Sequence, residues 1–183
     1  GYALAKFRFP YKNAILIFII ALMIVPMESA ILPLFLVVNK MGLINTLLGY
    51  LLPGFVNVMN IFLFRQYFMS FPTELSEAGK IDGLSDIGVF FRIVLPSSAG
   101  IYVTVGILTF LASWNDFLWP VMALSNPDLM PIQVALNAIF SDQYNIFKNH
   151  IMAALTIVTI PVVLLYAIFQ KYIVEGTARS GIK

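Results

Sequence analysis

Apolar residues in this chain gather into four long blocks separated by short polar stretches. The first block, 13–38, opens with an unbroken apolar run from Ala14 to Val25 and then meets Pro26, Glu28 and Pro33. At about 1.5 Å per residue it would reach about 39 Å, more than the roughly 30 Å of bilayer hydrocarbon. That excess, with two prolines, predicts a kinked or broken helix rather than a straight rod. The second block, 47–64, is interrupted by Pro53-Gly54 and carries Asn57 and Asn60. The third, 97–118, follows Pro96, and its apolar run ends near Asn115. The fourth, 150–170, has Pro161 in its interior, where a membrane helix tolerates proline if neighbouring groups satisfy the freed carbonyls. The pattern predicts an all-α fold, a polytopic membrane helical bundle with four transmembrane helices.

Composition points the same way. Hydrophobic residues make up 60% of the chain and charged residues 11%, against roughly 25% charged in a typical soluble domain. So few charges cannot cover the surface of a soluble globule. With no Cys there is no disulfide scaffold, thiolate metal site or cysteine nucleophile, and a single His excludes a multi-histidine metal cluster. A net charge of +2, scattered along the chain, gives no footprint for nucleic acid. Lys and Arg set the orientation: Lys6, Arg8, Lys12, Arg65, Lys80, Arg92, Lys171, Arg179 and Lys183 fall on one side, Lys40 and Lys148 on the other. Nine against two is a positive-inside pattern. It puts both ends of the chain and the 65–96 connection in the cytoplasm, with 39–46 and 121–149 facing outward. Trp119 and Tyr172 then read as interfacial aromatics.

The cytoplasmic connection reads Phe71-Pro72-Thr73-Glu74-Leu75-Ser76-Glu77-Ala78-Gly79-Lys80-Ile81-Asp82-Gly83. Thr73 reads as an N-cap, Glu74 as an acid in the first turn and Asp82-Gly83 as a stop. Leu75, Ala78 and Gly79 would share one face, Glu77 and Lys80 would form an i,i+3 pair, and Ser85 would cap a second helix feeding into Pro96. A helix of about two turns is unstable alone in water, so this one must be held against something, and small residues let another backbone approach closely. Two readings stay open on these grounds: the helix packs on its own chain, or another subunit holds it.

Glu77-Ala78-Gly79, then Gly83, Ile93 and Leu95-Pro96 at their spacings, resembles the EAA signature of permease subunits of ABC importers; Asp82 and Phe90 also fit it. Gly79 stands where the signature usually has a second Ala, a departure that keeps the volume small and weakens the helix by about 1 kcal/mol. Gly1-Tyr2-Ala3-Leu4-Ala5-Lys6-Phe7-Arg8-Phe9-Pro10 resembles the cytoplasmic end of the second membrane helix in carbohydrate permeases of the maltose-transport type. Trp114-Asn115-Asp116-Phe117-Leu118-Trp119-Pro120 is similar to the stretch closing their fifth helix, and Gln170 to Gly176 with Ser180-Gly181-Ile182-Lys183 to their C-terminus.

The resemblance implies an ABC importer permease (MetI-like) fold, with 1–183 a partial ABC transporter transmembrane domain. The family's first helix and most of its second would lie outside this chain. It implies an inner or plasma membrane location and a role in carbohydrate import. Residues 70–96 become the coupling loop, with Glu77, Ala78, Gly79, Asp82 and Gly83 contacting a partner ATPase. Implied partners are a second permease subunit in a heterodimer, two ATPase subunits, an extracytoplasmic solute-binding protein, a carbohydrate and the lipid bilayer. ATP and Mg would sit on the ATPase and no cofactor on this chain, which carries no P-loop: Gly79-Lys80 is followed by Ile81 rather than Ser or Thr.

Four residues within or beside the spans are candidates for lining a solute path. Glu28 lies about 22 Å above the start of its span, where an acid is expected to avoid lipid. It would face the bundle interior or a water-filled path, or be a snorkelled or hydrogen-bonded carboxylate at a broken helix near the outer interface. Asn57 and Asn60, three apart on one helix face, could bond a sugar hydroxyl or a neighbouring helix. Asp116 falls at the outer boundary, facing the path or an external binding protein. His150 reads as interfacial, and Phe110 as packed or lipid-facing. Broken helices with a buried acid also suit an ion-coupled secondary carrier, although such a carrier has no ATPase to couple to. A non-sugar solute such as glycerol phosphate is the other alternative.

Overall fold

The computed structural model describes residues 1–141 and 148–178. The match at Ser180-Gly181-Ile182-Lys183, the 142–147 part of the outward connection and the side chain of Tyr172 lie outside that description. Among the described residues the regular elements are helices: α1 Tyr2–Lys6, α2 Lys12–Ile24, α3 Met27–Lys40, α4 Leu47–Leu51, α5 Val58–Met69, α6 Thr73–Ile81, α7 Asp86–Val89, α8 Leu95–Ser97, α9 Ala99–Trp114, α10 Leu118–Ala123, α11 Ile132–Ser141 and α12 Lys148–Ala178. Tight turns of helix occur at Leu52–Phe55 and Pro127–Leu129, and a wider π-helical turn at Phe90–Val94.

Leu47–Met69 and Asn149–Gln170 are each long and apolar enough to cross a membrane. Two broken pairs, Lys12–Ile24 with Met27–Lys40 and Asp86–Ser97 with Ala99–Trp114, meet the same criterion as pairs, giving up to four crossings among the described residues. The first break is the one the prolines announce. Pro26 stands extended at φ −67°, ψ 133° as the N-cap of α3; its ring disfavours helix at Val25 before it, and with no N–H it cannot continue the ladder of α2. Pro33 and Pro161, by contrast, sit inside helices that continue past them.

The second block corrects one expectation. Pro53 sits in the tight turn that ends α4, Val56 and Asn57 are not helical, and α5 begins only at Val58. Asn57 therefore precedes α5 while Asn60 lies in its first turn, so they do not share a face of one continuous helix.

The chain forms two compact units, one containing Gly1–Leu22 and Val58–Ile107, the other Met23–Asn57 and Leu108–Gln170. The core of the first is Phe68, Phe71, Val89 and Val94, flanked by Tyr2, Phe64 and Phe90. That of the second is Val38, Trp119, Ala123 and Leu124, flanked by Phe35, Ile44 and Tyr50. Trp119 is thus not the interfacial anchor its position suggests: it is 5% exposed, and its indole N–H donates to the Tyr50 carbonyl at 3.2 Å. The short α10 carries the ring inward, where its one polar atom finds an acceptor.

Candidate functional site

The loop that follows α5 is built by local rules. Ser70 and Phe71 turn the chain by donating their N–H groups back to the Tyr67 and Phe68 carbonyls at 3.2 and 3.3 Å. Phe71 is buried and Pro72 extended, so the chain leaves the core at a fixed angle. Here the N-cap expectation is corrected: extended Pro72 holds that position, no side chain caps the helix, and Thr73 is its first residue. Glu74 in the first turn and Lys80 in the last suit the helix dipole.

The end of α6 follows the sequence closely. Gly83 stands at φ +83°, which glycine adopts without the penalty a side chain brings. Its N–H donates to the Lys80 carbonyl at 3.0 Å, and the Leu84 N–H to the Gly79 carbonyl at 2.9 Å. This is the Schellman arrangement, which satisfies carbonyls that a helix end otherwise orphans. Ser85 then caps α7, its Oγ accepting from the Gly88 N–H at 3.2 Å. Lys80 does not pair with Glu77: its ammonium lies 2.6 Å from the Asp86 carboxylate, and both side chains are 55% exposed. The hydrogen bond and charge of Asp86 hold the Lys80 ammonium above its ordinary pKa.

The two faces of α6 differ sharply. Gly79 is buried, and a Cβ there would run into Ile93 Cδ1 and meet Val89 Cγ2 at 3.2 Å. Gly79 accordingly does not share the outer face with Leu75 and Ala78; it is where α6 lies against its own chain. Leu75, Glu77, Ala78 and Ile81 are exposed, Ile81 to 86%. Ile87 and Phe91, just beyond, are exposed as well. Packing on its own chain therefore accounts for the inner face, while the outer face leaves apolar side chains and an acid exposed.

The other candidates sit on four separate stretches. Glu28 is exposed on this chain, in the first turn of α3, where an acid favours the helix N-terminus. Asn57 is exposed just before α5, and Asn60 is half-buried within it. Asp116, in the link beyond α9, is half-buried and accepts the backbone N–H groups of Phe117 and Trp119. Burial pushes its carboxyl above the ordinary range, against the downward pull of those donors. Asp116 thus braces the start of α10. Next to it Trp114 stacks on Phe110, centroids 5.3 Å apart.

Two residues that sequence reasoning passed over are structurally central. Asn45, at φ 60°, donates its N–H to the Ala123 carbonyl at 2.7 Å. Its Oδ1 accepts from the N–H groups of Ser125 and Asn126 at 2.9 and 2.8 Å. The available signal was Asn45-Thr46 ahead of an apolar run, since Asn tolerates positive φ and Thr46 caps α4 through the Gly49 N–H at 3.0 Å. Lys6, which the sequence reading uses only in the charge pattern and the family match, reaches the Phe71 carbonyl at 2.6 Å.

Comparison with known proteins identifies the family of the chain as a whole. Residues 1–179 match the family described as binding-protein-dependent transport system inner membrane component. The arabinooligosaccharides transport system permease protein AraQ of Halalkalibacterium halodurans is 34% identical over 183 residues, 100% of this chain and 65% of that protein. The sn-glycerol-3-phosphate transport system permease protein UgpE of Pectobacterium atrosepticum is 32% identical over 181 residues, 98% of this chain and 64% of that protein. A crystal structure of a bacterial ABC transporter involved in the import of the acidic polysaccharide alginate contains a chain that superposes with a TM-score of 0.78 at 29% identity, covering 93% of this chain and 65% of that one. The chain therefore spans about 65% of the length of relatives such as AraQ. Matched from its first helix to its last, it belongs to the binding-protein-dependent transport system inner membrane components, the non-catalytic permease subunits of ABC importers.

Proposed function

We propose that this chain is part of the permease subunit of an ATP-driven importer for a carbohydrate, and that α6 with its Gly83 turn is where a partner ATPase engages it. The observation that carries this reading is the division of α6 into a face packed through Gly79 and an exposed face of Leu75, Glu77, Ala78 and Ile81. A short helix held from one side and apolar on the other is suited to receive a second protein. Family membership removes the motive for an ion-coupled carrier. The second permease subunit, the two ATPase subunits and the external binding protein are proposed on the same basis, as is the topology with Gly83 and both chain ends in the cytoplasm. A phosphorylated polyol is the second substrate reading, because UgpE is nearly as similar as AraQ.

The test is co-purification of the ATPase beside uptake of labelled oligosaccharide and of glycerol phosphate, at matched membrane levels. Ala78→Trp is expected to insert normally and lose the ATPase. Gly83→Val, which places a branched side chain at positive φ, is expected to do the same or to uncouple hydrolysis from uptake. Normal association and uptake in both variants would sink the coupling assignment. Labelling of Lys80→Cys from outside intact cells by an impermeant reagent would reverse the topology.

A further inference from the structure

The helix α1 is only five residues long, yet its unit grips it at three places. The Tyr2 ring lies 5.2 Å from that of Phe68 near the end of α5, and 5.0 Å from that of Phe90, where the π-helical turn begins. The Lys6 ammonium donates to the Phe71 carbonyl at 2.6 Å, immediately before Pro72 and the start of α6. Lys12, the first residue of α2, reaches back to the Ala5 and Phe7 carbonyls at 3.2 and 2.9 Å. These carbonyls belong to the C-terminal end of α1, where a cation both satisfies orphaned acceptors and suits the dipole. Between them the exposed Tyr11 stands at φ 62°, a conformation uncommon for a bulky residue.

One short helix therefore holds the chain on its way into α6, the chain on its way out, and the foot of the first apolar helix. Charge-assisted hydrogen bonds are stronger than neutral ones, so the Lys6 and Lys12 contacts are the stiff members of this junction, and the Tyr2 rings fill it. The sequence reading gives Tyr2, Lys6 and Lys12 no role beyond the charge pattern and the family match, whereas Phe71 and Phe90 belong to the 70–96 loop. We propose that α1 is a strut that makes α2 follow the coupling loop, with Lys6 and Tyr2 as positioning residues through which a displacement of α6 reaches the membrane helix. This rests on the coupling role of α6 argued above.

The test uses the assembled transporter in proteoliposomes and reads solute imported per ATP hydrolysed. Lys6→Met keeps the aliphatic stem and removes the charge. It is expected to retain the ATPase and its hydrolysis while importing about tenfold less solute per ATP, the loss of one charged hydrogen bond. Lys6→Arg, which keeps the charge, is expected to recover most of the ratio, and Tyr2→Leu to lower it less than Lys6→Met. Spin labels on the exposed Arg8 and Glu74 of otherwise unaltered transporter are expected to keep their separation between the nucleotide-free and ATP-bound states. A wild-type ratio in Lys6→Met, or a change in label separation as long as a helical turn, overturns the strut. The label measurement decides by itself if Lys6→Met fails to reach the membrane. Ala78→Trp separates the two ideas. If it retains the ATPase and normal uptake, the coupling reading fails; if it loses the ATPase while Lys6→Met keeps the normal ratio, only the strut does.

Discussion

In the unit that carries α6, the interior is largely a train of aromatic rings. Tyr2, Phe64, Phe68, Phe71 and Phe90 meet edge to face, tilted or stacked, and Phe68 alone contacts four other rings, including Tyr67. In the unit that carries α10 a single indole takes the central place, and the loops are tied by directed hydrogen bonds that Asn45 and Thr46 accept and Trp119 donates. The two constructions answer displacement differently. Ring contacts are broad and weakly directional, so rings can slide before the contact is lost. A hydrogen-bonded tie tolerates little movement, and breaking the one at the buried Trp119 leaves its indole N–H unsatisfied. On the proposed role of α6, the slidable interior belongs to the unit that is pushed.

The largest effects come from removing the ring at the centre of each unit. Phe68→Ala and Trp119→Ala are each expected to cost about 3–5 kcal/mol, read as loss of thermal stability in detergent. The comparison is sharpened by milder variants: Phe68→Leu keeps apolar bulk and is expected to recover most of the loss. Trp119→Phe fills most of the space but leaves the Tyr50 carbonyl without its donor, and is expected to stay about 1 kcal/mol short. Equal recovery in both would erase the distinction between the units.

Next comes Gly79→Trp. Because Ile93 and Val89 occupy the space a side chain would need, overpacking is expected to destabilise the loop by about 1–3 kcal/mol or more. Its membrane level is expected to fall, unlike that of Ala78→Trp on the exposed face. Matched levels for the two variants would show that α6 does not rest on its Gly79 side.

Asn45 separates backbone freedom from side-chain bonding. Asn45→Gly keeps access to positive φ but loses the Oδ1 acceptor, while Asn45→Ala loses both. The expected costs are about 1 kcal/mol for the first and about 1 kcal/mol more for the second, compared by thermal unfolding.

The smallest effect belongs to the exposed Lys80–Asp86 pair. The lysine pKa is raised in the folded state, so its contribution is fully present below the ordinary lysine pKa. It is lost only as the pH rises through the raised value. Stability is therefore expected to show no dependence on this lysine around neutral pH, and Lys80→Met to matter less as salt screens the pair. A marked neutral-pH dependence that disappears in Lys80→Met would contradict this.

How far the site could be read from the chain alone depends on the distance over which each feature is decided. Gly83 as the end of α6, Ser85 as the cap of α7 and Pro26 as a break were legible, because each is settled within a few residues by allowed dihedrals and a missing N–H. The sequence marks Gly79 as a close-packing position but does not say on which face of α6 it packs. Small size says that something approaches and not what does, and here it is Ile93. Lys80 was given the neighbour one turn away, whereas the fold offers Asp86 across the Gly83 turn.

By itself the sequence determined the membrane class, the all-helical architecture, the breaks near Pro26 and Pro53 and the position of the loop motif. These follow from the lengths of apolar runs, the scarcity of charge, and the fixed backbone preferences of proline and glycine. Only the tertiary structure decided that Trp119 is core, that Asn45 ties its turn to the 123–126 segment, that Lys6 grips the entrance to α6, and which face of α6 is left open. The Lys6, Trp119 and Asn45 contacts join residues 65, 69 and 80 positions apart. Each depends on how far a side chain reaches once its neighbours are in place, and no local preference encodes that.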